Sequence, residues 1–258
     1  TGEYKRTLWN PFVEAIEKYK LIKDGDRIAV CISGGKDSML LARMLKMAKD
    51  YRLYDFSPEY IMMNPGYMER DMKQMEFNNL VFDIPVSYFS TNVFDDVEEI
   101  GKNPCFFCSR MRRGHLYRKA KELGCNKIAL GHHYDDVIET TLMSMLYGAQ
   151  AKTMLPVIKS DNIEDMKLIR PMYLIREDDI NLWKNRNNLN FVKCTCRLNT
   201  KDGGEDTMRL RIKKLIRDLT NENPAVPANI FGSMSGIDLE HVLSYKIDGV
   251  THSILDDM

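Results

Sequence analysis

Apolar positions recur along this chain with two alternating periods, and their order predicts an α/β protein. Leu8, Phe12, Ala15, Ile16 and Tyr19 fall at helical spacing, so a helix is expected near the start. After the Asp24-Gly25-Asp26 break, Arg27–Ile32 is a short apolar run of the kind found in strands buried on both faces. Ser33-Gly34-Gly35-Lys36-Asp37-Ser38 follows, and residues 39–48 are strong helix formers. The unit then repeats: a strand over 59–63, a helix over 70–80, a strand over 85–89, a helix over 107–123, a strand over 127–130 and a helix from about 136 to 147. Such alternation implies a doubly wound parallel sheet with right-handed crossovers.

Beyond Pro171 the pattern changes to a polar helix over 177–187, a cysteine pair, a Gly203-Gly204 break and an amphipathic helix over 207–220. Residues 224–238 read as a loop with one short helix. The expectation is a catalytic α/β domain over 1–172 and a mostly helical C-terminal extension over 173–258.

Composition narrows the functional classes. With 258 residues, 44% of them hydrophobic, the chain can bury a full core. Its 37 basic and 37 acidic side chains exclude recruitment of nucleic acid or an anionic membrane by net charge, so any RNA site is local. No run approaches the roughly 20 apolar residues that span a bilayer, and Thr1-Gly-Glu-Tyr-Lys-Arg6 lacks a signal-peptide core. A cytoplasmic location with no membrane partner is expected. Six cysteines are too sparse for a disulfide scaffold, but Cys105/Cys108 and Cys194/Cys196 form two tight pairs that suggest a metal.

In open sheets ligands bind outside the carboxyl ends of the strands, where both the 33–38 loop and Gly131-His132-His133-Tyr134-Asp135-Asp136 fall. The two are expected to face one pocket. A loop between strand and helix aims backbone amides and the helix dipole at one point, which suits phosphate. Gly34 and Gly35 allow close approach, Ser33 and Ser38 offer hydroxyls, Lys36 supplies charge, and Asp37 can reach a metal or the nucleotide edge. The loop is not the longer GxxxxGK[ST] type. Asp135 and Asp136 beside a triphosphate suit Mg²⁺, which takes oxygen ligands; Asp135 as a mere helix cap is the competing reading. His132 and His133 are adjacent, point differently, and read as loop residues rather than zinc ligands.

Three readings of the cysteines are open: a structural four-thiolate zinc site, a redox disulfide at Cys105/Cys108, and a [4Fe–4S] cluster on three cysteines with one open iron. Cys31 and Cys125 read as small buried apolar residues. Arg110, Arg112, Arg113, Arg118 and Lys119 crowd just past the first pair, and Arg209, Lys213 and Arg217 form a ridge on the amphipathic helix. Either can meet RNA phosphates, and the second equally reads as a solvated helix face.

The hexapeptide SGGKDS resembles the PP-loop signature of ATP pyrophosphatases, which cleave ATP between the α and β phosphates and activate an oxygen as its AMP ester. Together with Cys105-x-x-Cys-Ser-Arg-x-Arg-Arg-Gly-x-Leu-Tyr117 and Gly-His-His-x-Asp-Asp136, it makes nearly the whole chain similar to the tRNA 2-thiocytidine synthetase family, a cluster-dependent branch of that superfamily. The resemblance implies an adenine nucleotide alpha hydrolase-like fold and binding of ATP and Mg²⁺ by Ser33, Gly34, Gly35, Lys36, Asp37, Ser38, Gly131 and His132. It implies a catalytic or metal role for Asp135 or Asp136, with Lys36 and Arg112 assisting. It further implies a [4Fe–4S] cluster on Cys105, Cys108 and a third cysteine, Cys194 or Cys196, with a slight preference for Cys196. Its partners are tRNA, a sulfur donor (sulfide or a cysteine desulfurase) and a second copy in a homodimer. Two departures bear on the substrate: the second cysteine motif has a one-residue gap where some thiocytidine enzymes have CxxC, and the zinc ribbons of related 2-thiouridine enzymes are lacking. The rivals are an amide- or lysidine-forming PP-loop ligase with structural zinc, a 2-thiouridine-forming thiolase, and a nucleotide-binding redox sensor.

Overall fold

The computed structural model describes residues 2–100, 104–160, 165–192 and 207–257. The chain opens with α1 (Gly2–Tyr4), a π-helical stretch Lys5–Trp9 and α2 (Asn10–Tyr19), then alternates β1 (Arg27–Ile32), α3 (Lys36–Asp50), β2 (Ser57–Asn64), α4 (Glu69–Val81) and β3 (Val86–Ser90). There follow α5 (Val93–Ile100), α6 (Pro104–Glu122), β4 (Lys127–Ala129), α7 (Tyr134–Gly148), β5 (Val157–Lys159), β6 (Lys167–Ile169) and α8 (Glu177–Arg186). The last elements are α9 (Thr207–Glu222), α10 (Val226–Ser233) and a hairpin of β7 (Ser244–Ile247) and β8 (Val250–Ser253).

Six strands form one sheet in the order β3-β2-β1-β4-β6-β5. All neighbours run parallel except β5, which pairs antiparallel with β6. Val30 at the centre faces Tyr60 on one side and Ala129 on the other. β1 sits in the middle because Ile28, Ala29 and Val30 are fully buried, as its unbroken apolar run requires. Met39, Leu41 and Leu45 of α3 and Phe12 and Ile16 of α2 are likewise at 0% exposure, each contributing roughly 1.5–3 kcal/mol. The chain leaves β1 toward β2 on one side and returns through β4 on the other, so the strand order reverses between β1 and β4. A ligand crevice is expected at that reversal.

The far end of the same strands is closed by a buried ion pair. Lys127 Nζ donates to Asp26 Oδ2 at 2.5 Å and to the Leu21 carbonyl at 2.8 Å. Asn126 Nδ2 donates to Asp26 Oδ1 and the Lys23 amide to Oδ2. Burial by itself would raise the Asp26 carboxyl, but these donors outweigh it and hold it below the usual carboxylate range.

Helices and strands over 1–147 fall where the pattern predicts them, with one addition, α5. The expected mostly helical extension also contains a hairpin, whose Asp248-Gly249 turn has φ of 50° and 83°, the positive pair that a type I′ turn requires. β5 and β6 are three residues each and carry no readable period. Chain contacts divide the molecule into two compact units, 1–137 with 154–207 and 138–153 with 208–258. In the second, Glu139 is buried and pairs with Arg209 at 3.8 Å, Thr141 donates to Thr153, and α9 buries Ile212 and Ile216. Among the described residues no helix is long and apolar enough to cross a membrane.

Candidate functional site

The 33–38 loop leaves β1 and becomes the first turn of α3. Its shape is set by the Ser38 hydroxyl, which accepts from the Ser33 amide and hydroxyl at 3.1 Å each and donates to the Gly35 carbonyl at 3.0 Å. Gly34 has φ +83°, and a Cβ there would lie 2.7 Å from the Met75 methyl of α4. Glycine is therefore required on both conformational and steric grounds. Gly35 caps α3 with its backbone alone, so the first amides of the helix are not closed off by a side chain at the cap.

The segment after β4 lies directly on this turn. A Cβ on Gly131 would come within 3.0 to 3.2 Å of the backbone of Asp37 and Ser38. Five residues on, Asp136 at the third position of α7 reaches back to accept from the His133 amide at 3.0 Å, half of a capping box. The two sequence motifs thus meet at adjacent strand ends, as expected.

Buried His133 stands amid three carboxylates: its Nε2 is 3.5 Å from Asp136 and 3.9 Å from Asp37, and its Nδ1 is 4.0 Å from Asp135. Nδ1 has no hydrogen-bond partner among the described residues. Asp135 is engaged from the other side, by the Arg176 guanidinium at 3.0 Å and the Glu177 amide at 2.6 Å. Burial alone would lower Arg176, but its bonds to Asp135 outweigh that and keep it above the ordinary guanidinium value. Lys36 Nζ lies between Asp37 at 3.0 Å and Glu177 at 3.3 Å. Its burial, which would lower it, is likewise overcome by the two carboxylates.

Arg176, Glu177 and Arg170 are site residues that the sequence reading passed over. Arg170 follows β6, donates from Nε to His132 Nδ1 at 3.3 Å, and donates from Nη1 to the Leu155 carbonyl. Burial pulls its guanidinium down to about 10, so it is still a cation at neutral pH. Arg170 follows a strand too short to read, and Arg176 and Glu177 carry no local mark beyond the acidic start of α8.

The pocket suits a polyphosphate and a hard cation. Gly34 and Gly131 bring backbone close where a Cβ would be crowded, and three carboxylates gather around the His133 imidazole. The Asp37 side chain is 33% exposed against 16% for Asp135 and Asp136, so Asp37 is the most accessible oxygen donor. Among the described residues no three metal-ligating side chains are already assembled, which is compatible with Mg²⁺ held by one or two carboxylates plus phosphate and water.

Cys108 of α6 is buried against Val93, Phe94 and Val97 of α5, with Tyr67 and Met111 packed beside them. Cys105 precedes it by one helical turn, so the backbone sets both on one helix face. The Cys105 side chain, Cys194 and Cys196 lie outside the described residues. Two cysteines at the start of a helix, with the dipole favouring thiolate, fit a thiolate-bound metal or cluster. One turn beyond Cys108, Arg112 donates to the Tyr67 hydroxyl at 3.3 Å. Arg112 also lies near β1: burial pushes the Cys31 thiol up to about 12, and the Arg112 charge offsets part of that rise. Cys31 and Cys125 are buried in the sheet core, as expected for small apolar residues.

A PP-loop domain model matches residues 7–201. Among curated proteins, the chain is 37% identical over 243 residues to "tRNA-cytidine(32) 2-sulfurtransferase 1" of Francisella philomiragia, covering 93% of each chain. It is 36% identical over 247 residues to "tRNA-cytidine(32) 2-sulfurtransferase 2" of Francisella tularensis, covering 94% of this chain and 96% of that one. Among solved structures it is similar in fold to the U34-tRNA thiolase NcsA from Methanococcus maripaludis with its [4Fe-4S] cluster, at a TM-score of 0.70 and 22% identity, over 90% of this chain and 78% of that chain. With the phosphate loop, the acidic segment and the parallel sheet where that fold needs them, this chain belongs to the PP-loop family and, within it, to the group of the tRNA-cytidine(32) 2-sulfurtransferases.

Proposed function

We propose that the protein is an ATP-dependent tRNA sulfurtransferase that replaces the 2-carbonyl oxygen of cytidine 32 with sulfur. The observation that carries this reading is the close approach of Gly131 to the first turn of α3, which brings the phosphate loop and the acidic segment side by side. The amides at the start of α3 and the Lys36 ammonium receive the β and γ phosphates. Asp37 and Asp136 are the residues that would hold Mg²⁺, which when bound supplies positive charge to offset the pyrophosphate leaving group. The cytidine oxygen attacks the α-phosphorus, pyrophosphate departs, and sulfur then displaces AMP. Adenylation is needed because an oxide is a poor leaving group and a phosphate ester oxygen a good one.

Cys105, Cys108 and either Cys194 or Cys196 are the residues that would hold a [4Fe–4S] cluster. When bound, such a cluster supplies an open iron able to carry sulfide. Arg112, one turn beyond Cys108 and bonded to the Tyr67 hydroxyl, is the residue we assign to contact phosphate or the target base, and the exposed Arg110, Arg113 and Arg118 on α6 offer charge to the tRNA backbone. Sulfide or a cysteine desulfurase is the sulfur source, and a tRNA substrate places the reaction in the cytoplasm. Exposed Met145, Leu146, Leu243, Ile247 and Leu255 in the second unit support a homodimer.

Purification without oxygen, followed by iron, acid-labile sulfide and zinc analysis and by nucleoside analysis of tRNA incubated with ATP and sulfide, tests the reading. About four irons and four sulfides per chain are expected, lost in Cys108→Ala, with 2-thiocytidine, AMP and pyrophosphate formed together. Stoichiometric zinc without sulfide, and no thiocytidine, would overturn it in favour of an amine-using ligase.

A further inference from the structure

Glu177 touches both halves of the pocket from a third stretch of chain. Its backbone amide donates to Asp135 Oδ2 at 2.6 Å, while its carboxylate accepts from Lys36 Nζ at 3.3 Å across 141 residues of sequence. Lys36 and Glu177 are only 20% and 17% exposed, so water screens the pair less than it would a surface ion pair. The lysine that belongs to the phosphate loop is therefore already held by carboxylates, Asp37 on its own helix and Glu177 on α8. A polyphosphate entering the loop competes with Glu177 for the same ammonium, and the Glu177 charge also repels it.

We propose that Glu177 is a positioning residue with two separable roles: its carboxylate parks Lys36 until a polyphosphate takes the lysine over, and its amide holds Asp135 in register with the loop. This rests on the PP-loop reading of residues 33–38. The parked state lowers ATP affinity below what the loop alone would give. Nucleoside monophosphate, which has no β and γ phosphates to draw on Lys36, is indifferent to it.

The two roles can be removed one at a time. Glu177→Gln keeps the amide and the side-chain shape and removes the charge. Glu177→Pro removes the amide as well, at a position the backbone tolerates: residue 177 is the first of α8, where proline is accommodated, and Arg176 before it has φ −79° and ψ 143°, the extended conformation preferred ahead of proline.

Calorimetric titration of the holoprotein with ATP and Mg²⁺, and separately with AMP, is run beside tRNA-dependent pyrophosphate release at saturating ATP. Glu177→Gln is expected to bind ATP about three- to tenfold more tightly than wild type, with AMP binding changed by less than about twofold. Glu177→Pro is expected to turn over at least about tenfold more slowly than Glu177→Gln, without binding ATP more weakly than wild type. If the proline variant melts early by circular dichroism, a backbone ester at residue 177, made with the α-hydroxy analogue of glutamate, removes the same N–H while leaving Asp135 and its bond to Arg176 intact, and takes its place. Unchanged or weaker ATP binding by Glu177→Gln overturns the parking role, and equal turnover of the two variants overturns the amide role. Wild type that binds neither nucleotide is a different result, since it removes the PP-loop reading itself.

Discussion

A Cβ on Gly131 would lie 3.0 Å from the carbonyl carbon of Asp37 and 3.1 Å from the amide nitrogen of Ser38. The obstruction is backbone, so no side chain can swing away to relieve it. Gly131→Ala is expected to shift the first turn of α3 by a few tenths of an ångström and to raise the ATP dissociation constant about tenfold. Titration calorimetry beside thermal melting checks this. An unchanged affinity in a folded variant would mean the two segments do not constrain each other.

Asp135 and Arg176 form one unit with the Glu177 amide, so their removal should not be additive. Asp135→Ala and Arg176→Ala are each expected to slow pyrophosphate release, and the double variant to be barely worse than Asp135→Ala. A double-mutant cycle should give about 1–2 kcal/mol of coupling, and strict additivity would contradict the arrangement.

Stability rests in part on the Asp26–Lys127 pair at the far end of the sheet, whose side chains are 7% and 6% exposed. Asp26→Asn leaves the lysine charge buried and is expected to cost about 3–5 kcal/mol near neutral pH. The folded-state carboxyl is lowered, so its stabilisation is present above the unfolded aspartate value of about 3.9 and is lost as pH falls through the lower folded value. Denaturation curves of wild type and Asp26→Asn should therefore converge below that point. A gap that stays constant into strong acid would assign the effect to something other than the carboxylate.

Arg170 decides the tautomer of His132. A guanidinium only donates, so the 3.3 Å contact from Nε requires Nδ1 to be the acceptor and places the imidazole proton on Nε2. Nitrogen-15 spectra should show a deprotonated Nδ1 in wild type and a tautomer mixture in Arg170→Met. A protonated Nδ1 in wild type would refute the assignment.

Much of this was legible in the sequence for local reasons. The apolar run Arg27–Ile32 admits only a strand buried on both faces, and a two-glycine loop between strand and helix is a phosphate site by backbone geometry alone. The Asp248-Gly249 turn was also readable, since positive φ at both positions suits those residues, and the hairpin it starts departs from the mostly helical expectation. β5 and β6 were not readable, because three residues are less than any period can declare. Arg170 was hidden for the same cause, since it follows β6, whereas Glu177 reads only as the start of a polar helix and acquires its role through contacts with Lys36 and Asp135 far away in sequence.

By itself the sequence determined most elements of the first 147 residues, the two motifs and the family, because propensity, turn chemistry and hydrophobic period act over a few residues. Tertiary structure alone decided which strand ends are neighbours. The strand order β3-β2-β1-β4-β6-β5 arises from burying the faces of distant segments, and this burial sets Gly131 on Asp37 and brings Arg170, Arg176 and Glu177 to the pocket. The charge that surrounds Lys36 and Asp135 comes from residues up to 141 positions away, a distance over which no local pattern carries information.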